Sequence, residues 1–112
     1  MRAERPVPQR PFEISIVHDE DEVAVVPVGE LDLATSGKLE QEVRRVQTAG
    51  AARILLDLRE VDFIDSTGLR MLLSLRNDAA RNGHALTLAP PGPAGMRVLE
   101  LTGTRGLFDW RP

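Results

Sequence analysis

The chain has 112 residues, 42% of them apolar, which suits one hydrophobic core and excludes a second domain. Its 14 Lys+Arg stand against 17 Asp+Glu for a net charge of -3, with no basic cluster, so neither DNA nor RNA is expected as a partner. With no cysteine there can be no disulfide framework and no thiolate metal site, and His18 and His84 stand apart as surface residues at strand ends, so no metal is expected.

No run approaches the eighteen or so consecutive apolar residues of a membrane span, and the opening stretch lacks the apolar core of a signal peptide. A soluble, cytoplasmic protein without a membrane partner is the expectation. Residues 1–11, with Pro6, Pro8 and Pro11 among charged side chains, read as a flexible N-terminal segment ahead of a folded domain over residues 12–112. Phe12, Ile14 and Ile16 alternate with Glu13, Ser15 and Val17 in the period of a half-buried strand. A polar turn at Asp19-Glu20-Asp21-Glu22 leads to a second apolar run, Val23 to Val28, so the two strands are predicted to pair as an antiparallel hairpin. Pro27 can donate no ladder hydrogen bond, which predicts an edge, a bulge or the end of the strand there.

Gly29-Glu30-Leu31-Asp32 precedes an amphipathic helix over residues 35–48, where Leu39, Val43 and Val46 fall at i, i+4 and i+7. Asp32, Thr35 and Ser36 are all available as N-caps, and Gly50 is a stop. A strand follows from Arg53 to Leu58. Downstream of it, Leu69, Leu72, Leu73, Leu75, Ala79 and Ala80 recur as one helical face up to about Asn82, with Gly83 in the C′ position. His84 to Ala89 reads as another strand, Met96, Val98 and Leu99 as the inner side of a short helix ending near Gly103, and residues 107–110 as a last short strand. This alternation predicts right-handed β-helix-β crossovers and therefore an α/β layer: a mixed, mostly parallel sheet of four to five strands with helices packed mainly on one face.

The most informative segment is Val61-Asp62-Phe63-Ile64-Asp65-Ser66-Thr67-Gly68-Leu69, where an apolar strand turns into a helix. On residue types alone, Ser66 or Asp65 is an N-cap and Gly68 a point of close helix–sheet packing. A helix start also tolerates a phosphate, because its first amides are unpaired and its dipole favours negative charge. Enzymatic readings find little support. Asp62 and Asp65 are spaced differently from an aspartyl phosphotransferase motif, and Ser66 lacks the glycine-flanked elbow of a hydrolase nucleophile. Gly92-Pro93-Ala94-Gly95 and Gly103-Thr104-Arg105-Gly106 lack the Lys-Ser/Thr ending of a phosphate-binding loop. Neither a catalytic residue nor a cofactor is expected.

The Gly29-Glu30-Leu31-Asp32 block, the strand ending Leu56-Asp57-Leu58, the Val61-to-Leu69 run, and Arg97-Val98-Leu99-Glu100-Leu101-Thr102-Gly103 followed by Leu107-Phe108 together resemble the STAS family, specifically the bacterial anti-sigma factor antagonists. The resemblance spans nearly everything from Phe12 to Trp110 and implies a single small STAS domain. It implies partner switching: the unmodified protein binds an anti-sigma factor that is also a serine kinase of the histidine-kinase-like ATPase fold, which frees a sigma factor. Phosphorylation at Ser66 breaks that complex, and a serine phosphatase restores it. By the same resemblance, Asp32, Asp65, Ser66, Thr67, Gly68, Leu69 and Arg70 fall on or beside the docking face. A STAS scaffold that is not phosphorylated, or a soluble subunit of a stress-signalling or transport assembly, is the alternative. The family continues into another helix where this sequence stops at Pro112, so apolar surface around Leu107, Phe108 and Trp110 is expected to lack cover. A monomer is expected, with that end leaving a dimer open.

Overall fold

The computed structural model describes residues 10–112. In chain order it contains β1 (Glu13–Asp19), β2 (Glu22–Leu31), α1 (Ser36–Thr48), β3 (Arg53–Asp57), β4 (Val61–Ile64), α2 (Ser66–Asn82), β5 (Ala85–Ala89) and α3 (Pro93–Leu101), then a 3-10 turn at Arg105–Leu107. The strands form one sheet of five in the order β1-β2-β3-β5, with β4 also paired to β2. β1 and β2 make the antiparallel hairpin the alternation predicts, with Asp19 opposite Glu22, and every other pairing is parallel.

β2 runs on past the predicted Val28, because the inward alternation of Val25 and Pro27 continues through Gly29 and Leu31. Pro27 is therefore neither at an edge nor at an end. β3 pairs with Val23, Ala24 and Val25 while β4 pairs with Gly29, Glu30 and Leu31, so the proline lies between the two parallel ladders, where its missing donor costs no bond. The register shift sits further along, between Gly29 and Glu30.

Two strand expectations need correction. The run expected from Arg53 to Leu58 ends at Asp57, and after a short jog the chain resumes along β2 as β4, so the apolar strand expected to turn into the helix is a separate element and not the end of that run. Four residues are too few for a periodic signal. The expected final strand over residues 107–110 shrinks to a single bridge between Leu88 and Trp110. There Leu88 N–H donates to Asp109 O at 2.8 Å and Arg111 N–H to Leu88 O at 2.7 Å, while the 3-10 turn takes up the residues before them.

α1 and α2 pack on each other and against the sheet, and α3 rests on β4. Leu39, Val43 and Val46 are buried as predicted. On α2 the buried stripe is Gly68, Met71, Leu72, Leu75 and Ala79 with Leu69 beside it. Leu73 is only half-buried and Ala80 is exposed, so the predicted face was too wide on one side and lacked Met71. These side chains join Val25, Leu31, Ile54, Leu56, Ile64, Leu88 and Leu99 in one core.

Most of the segment expected to be flexible, residues 1–9, lies outside the described residues. Arg10 departs from that expectation. Its guanidinium donates to both Asp62 carboxylate oxygens at 2.8 and 3.0 Å, to Glu60 Oε1 at 3.0 Å and to the Glu60 carbonyl at 2.7 Å, which ties the chain to the start of β4. At the other end, Phe108 is buried, and its ring meets that of Trp110 edge-on at 5.9 Å. Trp110 Nε1–H donates to the Arg105 carbonyl at 2.8 Å. The end expected to be uncovered thus partly covers itself, leaving Leu101 and Leu107 outward.

Candidate functional site

β2 and β4 are parallel, and Leu31 is registered on Ile64, so the two strands finish side by side. Asp32 and Asp65 are the next residues on each. Neighbouring strands lie about 4.8 Å apart, which brings two carboxylates distant in sequence to one edge of the sheet. Asp65 N–H donates to the Leu31 carbonyl at 3.0 Å, extending the ladder one step further.

Each aspartate organises the start of the helix downstream of it. Asp65 has extended backbone at φ -93° and ψ -176°, and its Oδ1 accepts from the Gly68 amide at 2.9 Å, which makes it the N-cap of α2. Asp32 Oδ1 accepts from the amides of Ala34 at 2.9 Å and Thr35 at 3.1 Å, closing the turn into α1. The Thr35 hydroxyl donates to the Glu30 carbonyl at 2.6 Å and accepts from the Asp32 amide at 3.0 Å. Thr35 holds the N-cap position of α1, yet its side chain makes no cap bond; it stiffens the turn instead.

Gly68 is required by close approach. A Cβ on it would lie 2.7 Å from the Leu31 carbonyl oxygen and 2.9 Å from Leu31 Cβ, so only glycine lets α2 start against the end of β2. Gly68 and Leu69, expected near the docking face, are buried and belong to the packing of helix on sheet. Thr67 is half-buried. Ser66, the first residue of α2, is exposed, and its hydroxyl makes no hydrogen bond among the described residues. Arg70, one turn on, is exposed too.

Leu33 is the residue that sequence reasoning missed. It is 82% exposed, in the turn that Asp32 and Thr35 hold. The available signal was phase: Leu33 is off the stripe of Leu39, Val43 and Val46, so it had no place on the buried face of α1.

This edge therefore presents an exposed hydroxyl, an exposed leucine and an exposed guanidinium on a hydrogen-bonded frame. No base is held against Ser66, and no cluster of three or more His, Cys, Asp or Glu suited to a metal occurs among the described residues. A concavity of about 280 Å³ near Ile16, His18, Val23 and Arg45 lies at the opposite end of the parallel strands. The arrangement offers exposed side chains on a fixed hydrogen-bonded frame at one end of the sheet.

The chain belongs to the STAS domain family, whose model matches residues 13–112. An anti-sigma-B factor antagonist of Listeria monocytogenes is 25% identical over 91 residues, 81% of this chain and 80% of that protein. Among solved structures, an anti-sigma factor antagonist from Mycobacterium paratuberculosis superposes with a TM-score of 0.79 at 26% identity, covering 90% of this chain and 86% of that one. The Bacillus cell fate determinant SpoIIAA, solved in a phosphorylated form, shares the fold with a TM-score of 0.64 at 20% identity, over 90% of this chain and 91% of its own. These relatives are named for antagonism of a regulator or for a cell-fate role, and none for a reaction.

Proposed function

We propose that this domain is an anti-sigma factor antagonist whose binding is switched at Ser66. With Ser66 bare, it docks through the β2–α1 turn and the start of α2 onto an anti-sigma factor that is also a serine kinase, and a sigma factor is released. The kinase transfers the γ-phosphoryl group of ATP to the Ser66 oxygen, which gives up its proton, and ADP leaves. The phosphoserine cannot dock, and a serine phosphatase resets it by hydrolysis.

The observation that carries this reading is a division of labour at the junction. Asp65 supplies the cap and Gly68 the close packing, so Ser66 has an exposed hydroxyl with no structural task. A phosphate there adds a charge of roughly -1.5 to -2 beside Asp32 and Asp65, at a helix start that accommodates it, so its effect falls on a docked protein and the fold is retained. The names of the relatives supply the class of partner. No described helix is long and apolar enough to cross a membrane, and the domain is proposed to act in the cytoplasm as a monomer.

The test is the affinity of wild type, Ser66→Ala and Ser66→Asp for the serine kinases encoded in the same genome. Loss of binding in Ser66→Asp alone, at an unchanged melting temperature, is the expected result. Equal affinity for all three would refute the switch and leave a scaffold that is not phosphorylated.

A further inference from the structure

Most of the described arginines are committed to carboxylates. Arg10 holds Glu60 and Asp62, Arg44 bridges Glu40 and Asp78, Arg59 holds Asp57, and Arg111 holds Glu22. Arg70, like Arg53 and Arg97, has no side-chain ion pair or hydrogen bond among the described residues, and it is exposed. It stands four residues after Ser66 on α2, the spacing that stacks two side chains on one helix face. Ser66 is exposed as well, so the shared face is open to solvent.

We propose that Arg70 is the internal receptor for the phosphate of modified Ser66. This rests on the switch described above and adds how the modified state is held. An acidic group N-terminal to a basic one at i, i+4 is the favourable order on a helix, because it agrees with the dipole. The planar guanidinium matches phosphate oxygens in pairs, which an ammonium cannot do. Asp65 is the nearest carboxylate in sequence, but its Oδ1 is engaged by the Gly68 amide, so it is a poor competitor for Arg70. The amides of Ser66 and Thr67, unpaired by the helix at its first turn, add positive potential from the other side. The captured phosphate thus has a fixed place on α2 within the docking face.

The experiment installs phosphoserine at position 66 of the full chain by amber suppression, so that it depends on no particular kinase. Wild type, Arg70→Gln and Arg70→Lys are titrated by phosphorus NMR at low and high salt. Asp32 and Asp65 at the strand ends, Glu30 on β2 and Lys38 on α1 are charged groups near these helix starts, and they are the same in all three proteins. The second pKa of the phosphate should be about half a unit lower in wild type than in Arg70→Gln. Arg70→Lys should fall between, and the difference should shrink in about 1 M salt. Identical titrations of wild type and Arg70→Gln would overturn the capture. A wild-type Ser66 that its bound kinase never phosphorylates would instead refute the switch alone.

Discussion

Replacing Gly68 by alanine sets two opposed effects against each other. In an unobstructed helix, Gly→Ala stabilises by about 0.4–1 kcal/mol, mainly by restricting the unfolded chain. Here the new methyl would sit 2.7 Å from Leu31 O, 2.9 Å from Leu31 Cβ and 3.1 Å from Leu31 C, all inside contact distance. Two of those atoms are backbone, and the oxygen already accepts the Asp65 amide at 3.0 Å, so β2 cannot withdraw without loosening the junction. Overpacking of this kind costs about 1–3 kcal/mol and outweighs the entropic gain. The expected net loss is about 1–2 kcal/mol, or roughly 4–8 °C in melting temperature. Gly37, on α1, is the control, because a Cβ added there would meet nothing within 4 Å, and Gly37→Ala should be neutral or stabilising. Urea and thermal unfolding of both variants decide the matter. A Gly68→Ala protein as stable as Gly37→Ala would refute the steric account of this junction.

Leu33→Ala should leave the melting temperature unchanged, since the side chain is 82% exposed, yet weaken partner binding roughly tenfold if docking buries it. Undiminished affinity on titration calorimetry would take Leu33 off the docking face. Ser36 is buried, and its hydroxyl has no hydrogen-bond partner among the described residues, so Ser36→Ala should raise the urea midpoint by the equivalent of about 1 kcal/mol. A fall would show that the hydroxyl is satisfied in solution. Asp57 is buried at the end of β3, and the Arg59 guanidinium, hydrogen-bonded at 2.8 and 2.9 Å, holds its carboxyl below the usual range. The stability from that pair is complete above about pH 4 and is lost as the pH falls through the lowered folded value. Asp57→Asn should therefore flatten the decline in stability between about pH 5 and pH 2, and an unaltered acid profile would show that this pair adds nothing to stability.

Much of the fold was legible because its elements are locally consistent. The β1–β2 hairpin follows from alternation on both sides of an acidic turn, and α1 from the 3.6-residue recurrence of Leu39, Val43 and Val46. Where elements are very short or irregular, the pattern is silent. β4 has four residues, and the bridge at Trp110 is a single pairing made by a chain already committed to a turn. Pro27 was misplaced because a proline is judged from its own strand, whereas its tolerance depends on which neighbours pair beside it.

At the candidate site, local sequence determined the N-cap at Asp65, the helix beyond it and the first-turn position of Ser66, since capping and helical periodicity act over a few residues. Tertiary structure alone decided that Asp32 stands beside Asp65, that Leu33 is turned outward and that Arg10 is pinned to Glu60 and Asp62. Those relations depend on parallel pairing and packing between segments far apart in the chain. Hydrophobic burial selects such pairings from the whole molecule, so no short window of sequence contains them.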